Sequence, residues 1–239
     1  LLSTPLPRPV LDIGSGDGHF GSILFPDGAD VGLDRGFRDL AEARGRHVYR
    51  VLVGADSGTM PFADGHFASV VSNCVFEHIP EIDRTIGEIA RVLRPGGTFA
   101  CTVIGDRFSE LLTDAAAWRR WGLAGAHRAY LDWYNRNAAH FHFDPPPVWI
   151  ARFARAGLEV KSWRYYLSPE ATRLMHRDHY LSLPHLAARK LTGRWVPFPA
   201  LTDTAFWVQR FGRLAEEPEP EVGSCIAFTC TRKANSPVE

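Results

Sequence analysis

The chain has 239 residues, 45% of them hydrophobic, with 27 Lys and Arg balanced by 27 Asp and Glu. That length and apolar content suit one α/β domain with large insertions, or a domain plus a cap, built around a real core. Zero net charge excludes a global nucleic-acid or acidic-tail signature, and no apolar run approaches the roughly 18 residues a membrane span needs.

Locally the charge is uneven. Residues 1–104 carry 9 basic and 13 acidic side chains, residues 105–214 carry 16 and 9, and residues 215–239 carry 2 and 5. An anionic partner belongs on the middle block. The four cysteines form no C-x-x-C pair. Cys74 and Cys101 read as small core residues, and Cys225 and Cys230, five apart on an expected strand, point to opposite faces and share no metal. No signal peptide is recognised, so a reducing, cytoplasmic setting is expected. Residue 1 is Leu, which leaves room for a natural start upstream.

In chain order, the first landmark is Pro9-Val-Leu-Asp-Ile-Gly-Ser-Gly-Asp-Gly18. A short apolar strand, Val10 to Ile13, runs into glycines at every second position. Such a strand, turn and helix expose backbone N–H groups at the carboxyl edge of a parallel sheet, where open α/β folds bind cofactors. Gly16, Gly18 and Gly21 match the dinucleotide pattern G-x-G-x-x-G, but there the first glycine follows the strand directly. That glycine is Gly14, and the third then falls on His19. The better fit is Asp12-x-Gly14-x-Gly16-x-Gly18, which resembles the first motif of class I S-adenosylmethionine-dependent methyltransferases, in particular the type 11-like small-molecule group. A cofactor with an ammonium, a sulfonium and no pyrophosphate suits a carboxylate there, pairing with the ammonium directly or through water.

The resemblance continues along the chain. Phe20, Ile23 and Leu24 make the stripe of a short helix stopped by Pro26. The second strand, Ala29 to Leu33, ends in Asp34, 22 residues after Asp12, near the spacing at which an acid meets ribose hydroxyls. A helix is expected from Phe37 to Arg44, ended by Gly45, and a third strand from His47 to Val53. Ala55-Asp-Ser-Gly-Thr-Met-Pro-Phe62 is similar to the family's adenine segment, with Gly58 and Met60 as departures. The fourth strand is expected over Phe67 to Cys74, with Asn73 where the family's strand end lines the cofactor cleft. Ile82, Ile86, Ile89 and Leu93 step by 4, 3 and 4, as one helix face does. Arg94-Pro-Gly-Gly97 stops that helix, Thr98 to Ile104 reads as a buried parallel strand, and the tract RVLRPGGTF is again like the family.

The fold expected is therefore a Rossmann-like seven-stranded, mostly parallel sheet with an antiparallel last strand and helical cap insertions. The remaining helix is placed at Pro147 to Ala156, the sixth strand at Leu158 to Tyr166 and the seventh at Ser224 to Thr231. In domain terms this gives 1–104 as the cofactor-binding half, 105–146 as a cap insertion and 147–166 as core helix and strand. A second cap insertion fills 167–222, and 223–239 hold the final strand and tail. Both insertions would leave carboxyl ends of parallel strands, and would choose the acceptor. Only eight residues precede Pro9, too few for the family's leading lid, so either the chain is trimmed or the insertions replace it.

The first insertion is rich in aromatics, among them Trp118, Trp121, Tyr130, Trp133 and Tyr134, fitting either a flat hydrophobic acceptor or packing of the cap. In an extended His140-Phe-His142-Phe-Asp144 the polar side chains share a face, which suits an alternating strand, an acceptor-site base or a metal ligand. The second insertion has His176 and His179 on one helix face. It continues with Arg189, Lys190, Arg194, Trp195, Phe198, Phe206, Trp207 and Arg210, fitting a solvated cap helix, a membrane-interface segment or a site for an acidic, greasy acceptor. Residues 215–221 read as a charged linker.

The resemblance implies S-adenosylmethionine as cofactor, leaving as S-adenosylhomocysteine, with Asp12, Gly14, Ser15, Gly16, Gly18, Asp34, Arg35, Asp56, Ser57 and Asn73 around it. The expected activity is methyl transfer to oxygen or nitrogen of a small-molecule acceptor, acidic or aromatic and lipid-like in character. His78, His140 and His142 are the candidate bases, and no metal is expected. No nucleic acid is expected as partner, since Asn73-Cys-Val-Phe76 is not the Asn/Asp-Pro-Pro-aromatic tetrapeptide of nucleic-acid methylases; peripheral membrane contact stays open. A non-catalytic methyltransferase-like binding module and a nicotinamide-dependent oxidoreductase are the alternatives.

Overall fold

The structure, a computed structural model, describes residues 4–181, 212, 214 and 217–234, with only the backbone at 113–116 and 177–181. Its centre is a seven-stranded sheet in the order β3-β2-β1-β4-β5-β7-β6. The strands are β1 Val10–Ile13, β2 Ala29–Asp34, β3 Tyr49–Gly54, β4 Phe67–Asn73, β5 Leu93–Ile104, β6 Leu158–Tyr166 and β7 Cys225–Arg232. Pairing is parallel from β3 through β5, and β7 runs antiparallel to β5, with Thr98 opposite Thr231 and Ile104 opposite Cys225. The strand order reverses beside β1, between β2 and β4, which is where doubly wound sheets open a crevice.

The runs are continuous and apolar because both faces of these strands are covered. All four residues of β1 are buried, as are Phe99 to Ile104 of β5. Helix α1 is His19–Leu24, α2 Phe37–Arg46, α3 Ile82–Val92 and α7 Pro146–Arg155, with α4 Phe108–Leu111, α5 Thr113–Arg120 and α6 Ala124–Ala138 between α3 and α7. Ile82, Ile86 and Ile89 of α3 are all buried. An aromatic chain runs through the same core: Phe99 stacks on Phe76 at 5.9 Å and meets Phe153 edge-on at 5.6 Å, and Phe153 meets Phe228 at 5.3 Å.

Several boundaries depart from expectation for local reasons. Helix α2 passes through Gly45 to Arg46, because His47 takes the left-handed turn, at φ 57, that glycine was expected to supply. In α1 the apolar stripe is not the buried face: Ile23 is 56% exposed, and Gly21 is the buried residue. The 140–145 segment forms neither strand nor helix, and Phe141, expected inward, is 54% exposed.

The chain divides into two compact units. The first comprises 1–106, 135–164 and 225–239, so 135–146, the last turn of α6 included, groups with the sheet. Hydrogen bonds explain this: the Phe141 N–H donates to the Glu77 carbonyl at 2.7 Å, and the His142 Nε2 lies 2.9 Å from the Ile79 carbonyl. The second unit comprises 107–134 and 165–224 and includes α8, Pro169–Leu181. Within it the Tyr130 hydroxyl lies 3.0 Å from Nε2 of the buried His176, and the Thr172 hydroxyl donates to Ser224 Oγ at 2.8 Å. The His179 side chain and the basic and aromatic run from Arg189 to Arg210 lie outside the described residues. No helix among the described residues is long and apolar enough to cross a membrane.

Candidate active site

At the end of β1 the chain folds back on β2. The Gly14 and Ser15 N–H groups both donate to the Leu33 carbonyl, at 2.8 and 3.1 Å. Gly14 has φ +72, and a Cβ there would sit 2.3 Å from Val75 Cγ2, so only glycine fits. The turn positions one acid with both oxygens committed: Asp34 accepts from the Gly16 N–H on Oδ2 at 2.9 Å and from the Gly36 N–H on Oδ1 at 2.7 Å. A carboxylate has about four acceptor sites, so each oxygen keeps capacity for a further donor. Asp17 next door is tied to Arg46 at 2.8 Å. Burial pushes its carboxyl up, but the His19 N–H and the Arg46 guanidinium outweigh that and hold it below the ordinary range.

A cavity of about 370 Å³ opens beside this turn. Gly14, Asp34, Arg35, Asp56, Ser57 and His78 line it, with Arg84 and Glu81 on the far wall. The 55–64 loop is shaped by a local turn, the Gly58 N–H donating to Asp56 Oδ1 at 2.7 Å. It is strapped from α3 by two residues that the sequence patterns did not single out. Glu88 accepts the Met60 N–H at 2.7 Å; Arg91 donates to the Phe62 carbonyl at 2.7 Å, to the Met60 carbonyl at 3.0 Å and to Asp64 at 2.7 Å. The two also pair with each other at 2.6 Å, so the guanidinium rises above its ordinary value and the carboxyl falls below.

Other sequence candidates lie elsewhere. Asp12 is buried behind the turn, accepting the Tyr49 hydroxyl at 2.5 Å. Ser15 is buried, and its hydroxyl has no hydrogen-bond partner among the described residues. Gly18 begins α1 in the left-handed conformation. Asn73 does not line the cavity; its Oδ1 accepts the Thr102 hydroxyl at 2.7 Å, which ties β4 to β5.

The three histidines have different surroundings. His78 Nδ1 lies 3.2 Å from the Ala139 carbonyl. A carbonyl only accepts, so Nδ1 carries the proton and Nε2 of the neutral ring keeps its lone pair, the arrangement a general base requires. His140 lies beside it, the rings tilted by 44° with centres 4.9 Å apart. Burial, aided by His78, pushes His140 down to about 4, so it stays neutral at physiological pH. His142 directs Nε2 at the Ile79 carbonyl, and its Nδ1 is 3.7 Å from Asp144, itself held by Arg152 at 3.1 Å. Both nitrogens of His142 face protein groups, and the ring braces 142–144 against 79–80. Among the described residues no group of three or more His, Cys, Asp or Glu could hold a metal ion.

Two carboxylates, Asp34 and Asp56, thus share the cavity wall with Ser57 and His78. Residues 11–101 match the methyltransferase domain family. The chain is 37% identical over 114 residues to a malonyl-[acyl-carrier protein] O-methyltransferase of Legionella pneumophila, covering 45% of this chain and 40% of that protein. To the Methylococcus capsulatus protein of the same description it is 35% identical over 127 residues, 48% and 43% of the two chains. The chain thus spans about two fifths of the length of these relatives. A SAM-dependent methyltransferase from Thermotoga maritima superposes with TM-score 0.57 at 15% identity, over 97% of this chain and 86% of that one. The [4+2]-cyclase SpnF does so at 0.58 and 19%, over 95% and 74%. At such identities the likeness shows the fold alone, and the cyclase illustrates how different chemistry occupies it.

Proposed function

We propose that this chain is a class I S-adenosylmethionine-dependent methyltransferase that methylates oxygen or nitrogen of a small-molecule acceptor selected by its insertions, a reading supported by the match of residues 11–101 to the methyltransferase domain family. The observation that carries the reading is Asp34, whose carboxylate is aimed by two backbone N–H groups into the cavity that Asp56 and Ser57 also line. Asp34 would hold the ribose diol, Asp56 and the Ser57 N–H the adenine edge, and Asp12 the amino group. When bound, the cofactor supplies an electrophilic methyl group on a sulfonium. Closing the site against water favours a reaction in which that charge is lost, and alignment of the acceptor supplies much of the rate.

The relatives described as O-methyltransferases favour an oxygen acceptor, and an acyl carboxylate is the first class to test. A carboxylate arrives already ionised and needs no base. A hydroxyl or amine acceptor would give its proton to Nε2 of His78, the candidate histidine on the cavity wall.

Calorimetry with S-adenosylhomocysteine tests the reading: the wild-type protein should bind it, and Asp34→Ala should weaken binding at least ~10-fold, about 1.4 kcal/mol, without altering the circular dichroism. No heat from S-adenosylhomocysteine together with binding of a pyridine nucleotide would overturn it.

A further inference from the structure

Asp12 is 2% exposed, and among the described residues no basic side chain pairs with it. Its donor is a phenol from two strands away. Tyr49 starts β3; its ring crosses β2 over Gly32, where a Cβ would lie 2.9 Å from the ring, and passes beneath Gly21 of α1, where a Cβ would lie 2.1 Å from its hydroxyl. Two glycines thus keep open a channel one ring wide, and the Tyr49 hydroxyl reaches Asp12 Oδ2 at 2.5 Å. A buried carboxyl supported by one neutral donor is costly to ionise until a cation arrives.

We propose that Tyr49 is a positioning residue for cofactor capture: its hydroxyl fixes Asp12 and supports its charge, and binding of a cationic amino group expels one proton from this buried pair. The inference rests on the reading of the site given above. The balance is simple. The Asp12 carboxyl O–H breaks, its proton passes to the buffer, and the carboxylate is then compensated by the ligand's ammonium and the Tyr49 hydroxyl.

The surrounding charges agree. Burial pushes the Asp12 carboxyl up to about 7, the Tyr49 hydrogen bond opposes that rise, and Asp34 adds to it. Tyr49 itself is held protonated by burial and by Asp12, with smaller contributions from Asp17 and Asp34. Below about pH 7 the pair is therefore neutral, and affinity for a cationic ligand should rise with pH until the carboxyl is ionised. Removing the phenol hydroxyl moves that transition to higher pH.

The test is calorimetry of S-adenosylhomocysteine binding to the full chain between pH 5.5 and 7.5, in buffers of differing ionisation enthalpy. The wild-type heats should depend on the buffer, giving release of close to one proton at the acid end and less towards neutrality. Tyr49→Phe should bind roughly 5-fold more weakly at pH 7 and roughly 10-fold more weakly at pH 5.5, the effect of about one unit in the Asp12 titration, with its pH profile displaced upward. A merely structural Tyr49 would weaken binding with an unmoved profile, and that result would overturn the proposal. So would buffer-independent wild-type heats, a measurement that stands even where Tyr49→Phe fails to fold. Absence of binding by the wild-type protein at every pH would remove the cofactor reading beneath it as well.

Discussion

Glu77 sits one residue before His78, buried, with no charged partner among the described residues. Burial foremost, and the nearby Cys74, push it up to about 8. Its ordinary value is 4.5, so between there and 8 the folded state holds more protons than the unfolded one, and stability falls as pH rises through that window. Glu77→Gln removes the titration. The variant and wild type should melt together near pH 5, with the variant melting higher by pH 8.5; calorimetric scans across that range check it. His140 has the opposite sign: its folded value lies below the unfolded one, so its contribution is present at neutral pH and lost as pH falls from about 6.5 towards 4. Among the histidines, His78→Ala should lower turnover on a hydroxyl or amine acceptor while leaving S-adenosylhomocysteine affinity nearly unchanged. His142→Ala should instead lower the melting temperature, because it frees the brace on the 79–80 carbonyls; kinetics and melting on both variants separate the two roles.

At the scale of elements, what the sequence disclosed and what it hid follow from range. The strands Val10–Ile13 and Leu158–Tyr166 stand at the expected limits, because Pro9 and Gly14 bracket the first and Gly157 opens the second, and such punctuation is a local signal. The stripe on α1 misled because Tyr49, far along the chain, needs the space at Gly21, and this turns the glycine inward and leaves Ile23 in solvent. The spacing of His140, His142 and Asp144 looked like one face of a strand, but the partners that shape the segment are carbonyls more than sixty residues away. The strap from α3 was hidden for the same reason. Arg91→Ala should cost about 2 kcal/mol, since it leaves the Met60 and Phe62 carbonyls without this donor and the half-buried Glu88 without its cation. It should also weaken S-adenosylhomocysteine binding, whereas Arg94→Ala, exposed at the strand start, should do neither; denaturant titration and calorimetry measure both.

For the whole molecule, a mostly parallel seven-stranded sheet with an antiparallel last strand was legible because four family-like tracts occur in sequence, whereas the insertion of β7 between β5 and β6 carries no local signal. A ligand that binds the folded chain alone raises its stability by about 2.7 kcal/mol at one hundred times its dissociation constant. S-adenosylhomocysteine should therefore raise the melting temperature by several degrees, and reduced pyridine nucleotide should leave it unmoved; a fluorescence melt decides between them.

The position of β7 between β5 and β6 also bears on synthesis. As the polypeptide leaves the ribosome, β5 waits with a bare apolar edge while some 120 further residues are made, and β6 has no place to dock until β7 arrives. An open sheet keeps its edges until the last strand arrives, so the nascent chain carries an unpaired edge through about half of its translation. A product ending before residue 225 should collect in inclusion bodies, whereas single changes on β6, the outer edge, should be tolerated.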